Sequence, residues 1–94
     1  VKTYLYGVFD AAAKAYLSPF FSASDGVAKR AFHHACNTGG HDFFLHASDY
    51  TLFKLGEFDD ETGNLTACLP VSLGNGVQFR ELDNAICVNL EKNL

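Results

Sequence analysis

The 94 residues suit one domain, and 48% hydrophobic against 19% charged residues gives enough apolar material for a compact core. A net charge of -4, from 7 basic and 11 acidic side chains, excludes a protein that coats nucleic acid by bulk charge. No apolar stretch reaches the roughly 18 residues of a membrane span, and Val1-Lys2-Thr3-Tyr4-Leu5 lacks the apolar run of a signal peptide, so the expectation is a chain with no membrane contact.

Lys2 to Phe9 is rich in tyrosine, valine and phenylalanine and too short for a good helix, so it reads as a strand, apolar on both faces and therefore central. Asp10 to Lys14 is a connection. Tyr16 to Ser22 resumes strand character, but Pro19 has no N–H to give to a ladder, which places this strand at an edge or a bulge. The two make an N-terminal hairpin.

Ser24 is a good N-cap with Asp25 beside the positive helix end, and Val27, Ala28, Ala31, Phe32 and Ala35 form one helical stripe. Lys29, Arg30, His33, His34 and Asn37 occupy the opposite side, and Asn37-Thr38-Gly39-Gly40 ends the helix. His41 to Tyr50 has no clean period and fits either a helical turn or a strand. Thr51 to Phe58 is a strand, Asp59-Asp60-Glu61-Thr62-Gly63-Asn64 an acidic turn, and Leu65 to Leu69 the antiparallel return. After Pro70, Gly74-Asn75-Gly76 breaks the chain between Val71-Ser72-Leu73 and Val77-Gln78-Phe79, and Ala85 to Leu90 fits one more strand. The order strand-strand-helix-strand-strand gives an α+β fold, a small mostly antiparallel sheet with one helix packed on a face, in a single domain with a C-terminal extension from about residue 75.

Phe9-Asp10, Pro19-Phe20-Phe21, Ala28-Lys29-Arg30-Ala31-Phe32, the run from Asp49-Tyr50 through Phe58-Asp59, and Thr62-Gly63 stand in an order that resembles the small nonstructural protein of gokushoviruses, single-stranded DNA phages of the Microviridae. The likeness covers roughly residues 3 to 73, and its most specific part is Asp-Tyr-x-Leu-Phe-x-Leu-Gly-x-Phe-Asp. That family usually carries His-Pro-Glu where this chain reads His46-Ala47-Ser48. The resemblance implies a protein made during infection, in the host cytoplasm, that serves genome replication or packaging. It implies no active site.

Charge is uneven along the chain. Residues 1 to 54 hold five Lys and Arg against four Asp and Glu, whereas residues 55 to 94 hold two against seven. Lys29 and Arg30, with Lys14 and Lys54, are candidate phosphate contacts, and Tyr4, Tyr6 and Tyr16 are candidate stacking surfaces for unpaired bases of single-stranded DNA, since single-strand binders combine those features. The plainer reading makes Lys29 and Arg30 a solvated helix face and the aromatics core. A second class of function is protein interaction: a homodimer joined through the sheet face or edge, or a phage or host replication or packaging protein as partner.

Catalysis and cofactors find little footing. His33 and Cys36 are i, i+3 with His41 and His46 nearby, but no CxxC or HxxxH pair occurs, so the residues suit surface histidines and a buried thiol, and no metal or other cofactor is expected. Cys36 beside a histidine lacks a third group for nucleophilic chemistry. Cys36, Cys68 and Cys87 are an odd set and fit reduced thiols. The expectation is a protein that binds and does not catalyse.

Overall fold

The computed structural model describes residues 1–80. Five antiparallel strands form one sheet: β1 (Lys2–Asp10), β2 (Ala15–Tyr16), β3 (Phe20–Ser22), β4 (Tyr50–Asp59) and β5 (Leu65–Asn75). Helix α1 (Asp25–Cys36) follows the first three strands, and a short α2 (Asp42–Leu45) with a 3-10 turn at Ala47–Asp49 leads into β4. Residues 76–80 are helical. The α+β expectation holds.

β1 is central, as its composition suggests, with β2 and β3 on one side and β4 on the other; β5 lies outside β4. The expected strand from Tyr16 to Ser22 is interrupted at residues 17–19. Pro19 falls in the break, where its missing N–H costs no ladder bond, and both pieces still pair with β1.

α1 begins where the sequence places it. The Ser24 side chain accepts from the Val27 N–H at 3.2 Å, satisfying an amide that the first turn leaves without an intrahelical partner. Its buried positions are Ala28, Phe32 and Cys36, a single i, i+4, i+8 line. The wider stripe anticipated from the sequence is therefore narrowed, and Val27 is 48% exposed. Asn37 Nδ2 and Thr38 Oγ1 donate to the carbonyls of His33 and His34 at the helix end.

The core lies between this line and the same-side residues of the central strands, Tyr6, Val8, Tyr50 and Leu52. Phe32 is its hub, with ring centroids 5.4 Å from Phe43 and 5.2 Å from Phe79. Burial of each such large side chain contributes about 1.5–3 kcal/mol. α1, α2 and residues 76–80 thus all send apolar side chains to one face of the sheet.

Two expectations change near the end of the described chain. β5 does not stop at Leu69 but runs through Pro70 to Asn75, because Pro70 sits where β5 bulges away from β4, between the pairs Gly56–Ala67 and Lys54–Val71. Residues 77–79 are helical rather than extended, with the Val77 N–H donating to Asn75 Oδ1 and Phe79 packed on Phe32. The strand expected over Ala85 to Leu90 lies outside the described residues.

Candidate functional site

The register sorts the tyrosines and cations to different places. Side chains alternate across β1, so Tyr4, Tyr6 and Val8 face the helices while Leu5, Gly7 and Phe9 face the other way. Tyr6 is 0% exposed, which removes it as a stacking surface: its ring is core, stacked on Phe20, and its hydroxyl donates to Asp25 Oδ1 at 2.6 Å. Tyr4 is half-buried beneath the Lys54 ammonium, 4.1 Å from its ring centroid. Lys54 also lies 3.5 Å from Asp25 Oδ1, so its charge is matched within the fold.

Asp25 is the centre of this small network. The Tyr6 hydroxyl, then Lys54 and Lys29, hold its carboxyl below the usual carboxylate range, while burial beside that carboxylate pushes the Tyr6 phenol well above its ordinary value. Such a phenol stays protonated and acts as a fixed donor. Burial likewise pushes the Cys36 thiol up to about 11, so it packs as a small apolar group and is a poor nucleophile near neutral pH.

Lys29 and Arg30 are both exposed on the outer side of α1. Lys14 stands apart in the turn after β1, in the left-handed region at φ 57. Tyr16 is 42% exposed and belongs to the opposite face of the sheet. The seven candidate residues therefore make no single groove. The structure brings Tyr4, Tyr6 and Lys54 together at Asp25, with Lys29 one helical turn along acting on the same carboxylate, and leaves Arg30, Lys14 and Tyr16 at separate positions.

His41 and Asp59 have local structural roles. His41 Nδ1 accepts from the Phe43 N–H at 3.0 Å and caps α2. Asp59 Oδ1 accepts from the Glu61 N–H at 2.9 Å, which closes the acidic turn and holds the Asp59 carboxyl below its usual range. Among the described residues no three His, Cys, Asp or Glu side chains form a group fit for a metal ion. No helix among them is long and apolar enough to cross a membrane.

The feature that sequence reasoning did not separate from the core is the second face of the sheet. Phe9, Tyr16 and Phe53 form a chain of edge-on rings with centroids 5.0 and 5.7 Å apart, and Phe21 meets Phe58 at 5.9 Å. Leu5, Leu55 and Leu65 extend this surface by register, and Phe21 and Leu65 are 54% and 58% exposed. Two backbone features shape it. The β1–β4 register shifts at Leu5/Tyr6, so Leu55 is an extra residue on β4, and its side chain closes over Gly7 beside Tyr16. A Cβ on Gly7 would sit 2.8 Å from Leu55 Cδ1 and 3.2 Å from Tyr16 Cδ1, so only glycine lets these two meet. No helix covers this face among the described residues, and none of its strand positions carries a charge. The signal in the sequence was the apolar character of both alternating sets of β1, which suits a strand with two covered faces as well as one with an open apolar face.

A family model described as Phage ORF5 protein matches residues 3–79. The comparisons find no matching curated protein and no matching solved structure.

Proposed function

Because the chain belongs to the Phage ORF5 protein family, we propose that it is a non-enzymatic accessory protein of a gokushovirus, acting in the host cytoplasm in single-stranded DNA genome replication or its switch to packaging. It works by binding, and its working surface is the open aromatic face of the sheet. The observation that carries this reading is that face itself: exposed Tyr16 and Phe21 on a sheet whose helices, among the described residues, pack on the other side. Large exposed apolar patches mark interaction sites. Phage bearing Tyr16→Asp and Phe21→Asp should lose at least about tenfold in yield, the scale of a lost interfacial anchor, while the purified variant keeps the far-ultraviolet circular dichroism of the parent. Parental yield from such phage would refute the reading.

A second reading, direct contact with single-stranded DNA, is favoured by the adjacent, exposed Lys29 and Arg30 on α1. A phosphate-driven complex weakens with salt at a log-log slope of about -0.7 per contact. Titration of fluorescent oligo-dT at two salt concentrations should then give tighter binding by the parent than by Lys29→Glu/Arg30→Glu. Equal affinities in low salt would leave protein association alone.

A further inference from the structure

We propose that the open sheet face takes a second copy of this chain, in a twofold face-to-face packing of the two sheets with their strands antiparallel. The inference rests on that face being the working surface, and it names the occupant. Three observations select it.

First, the face is free of charge along its strands, which disfavours a nucleic acid or a strongly charged peptide lying on it and suits a partner surface equally apolar. A twofold contact places the same patch on both sides, and a patch without charge has no self-repulsion to overcome. Second, the dimensions suffice. β1 spans nine residues and the sheet is four strand positions wide. At about 3.3 Å per residue and about 4.8 Å per strand the face is roughly 30 by 19 Å, or about 570 Å² in projection. A stable interface uses about 800 Å² of accessible surface per partner, and a corrugated aromatic surface exceeds its own projection.

Third, the ends of the face are electrically unlike. Lys14 lies in the turn at the Asp10 end of β1, whereas the β4–β5 turn at the Lys2 end carries Asp60 and Glu61. Asp60 pairs with the Val1 ammonium at 2.9 Å, and Glu61 is 3.8 Å from the same ammonium with its side chain 79% exposed, so Glu61 is the carboxylate left open to a second cation. The Asp10 carboxylate at the Lys14 end belongs to the alternate set of β1 that faces the helices, and it accepts from the Ala12 and Ala13 amides, so its charge stands on the other side of the sheet from the open face. Reversing the strand direction in the second copy brings each Lys14 toward the other copy's acidic turn, twice by symmetry. Packing with parallel strands would put the acidic turns together.

Light scattering and sedimentation velocity on the full chain test this. The parent should have twice the chain mass at micromolar concentration. Tyr16→Asp and Phe21→Asp change side chains already exposed in the monomer and should raise the dimer dissociation constant at least about thirtyfold. Lys14→Glu should weaken the dimer severalfold in low salt and less in high salt, while Lys29→Glu/Arg30→Glu on the helix side leaves it unchanged. Circular dichroism on every variant separates lost association from lost folding. A monomeric parent, or a dimer indifferent to Tyr16→Asp and Phe21→Asp, overturns the proposal. If the parent is monomeric while phage with the altered face still lose yield, the face binds something else: the second copy is refuted and the working surface stands.

Discussion

At the residue scale, identity decided less than register. Tyr4, Tyr6 and Tyr16 are alike in composition, yet one is half-buried at the margin of the core under a lysine, one is core and one lies on the open face. That outcome depends on which alternate set of β1 the helix covers, and only the packed helix settles it. The Tyr6 hydroxyl bond to Asp25 has a measurable consequence. Tyr6→Phe should cost about 1.5–3 kcal/mol in urea unfolding at pH 7, the range for a hydrogen bond to a charged group. The pH dependence follows from the directions of the two shifts. Asp25 titrates lower in the folded chain, so its contribution is present above the unfolded carboxylate value near 4 and is lost as pH falls. Tyr6 titrates higher when folded, so its contribution is present below the unfolded phenol value near 10 and is lost as pH rises. The difference between parent and Tyr6→Phe should therefore be greatest between these limits and shrink outside them; a difference constant from pH 3 to pH 11 would contradict the network.

At the element scale, the sequence was most legible where local chemistry acts alone. The Ser24 cap, the extent of α1 and the acidic turn after β4 need no tertiary information, and each is found where the residues place it, whereas the buried line of α1 is narrower than the stripe read from the sequence. The fate of β5 was not legible, since Pro70 ends a paired strand unless the ladder has already parted, and that depends on the bulge shared with β4. The same bulge region makes Gly56 indispensable: a Cβ there would lie 2.5 Å from the Thr66 carbonyl oxygen and 3.3 Å from Ala67 Cα, both backbone. Gly56→Ala should cost about 1–3 kcal/mol in urea unfolding, as overpacking does. Gly7→Ala should cost less, because the obstructing atoms are ends of the Leu55 and Tyr16 side chains, which can turn aside. Equal losses would show that β4 and β5 separate without resistance.

At the scale of the whole molecule, the division of charge along the chain and the division of surface across the sheet are separate facts. The halves of the sequence differ in sign, but in space the exposed cations Lys29 and Arg30 belong to the helical layer and the exposed rings to the opposite surface. A ligand that needs both phosphates held and bases stacked cannot meet both on one face. This spatial separation, invisible in composition, is why the proposed association through the aromatic face and the proposed DNA contact through Lys29 and Arg30 are separate readings with separate tests.

Pro70 also bears on how such an assembly would stop. β5 is the outermost strand among the described residues, with much of its length exposed, and an exposed edge invites a further strand to add without limit. A proline at an outward bulge interrupts that edge midway, leaving no unbroken row of donors for an incoming chain. Addition of strands at this edge is thereby disfavoured while the flat of the described sheet stays uncovered, which accords with the proposed face-to-face pair and predicts that assembly through β5 is not its route.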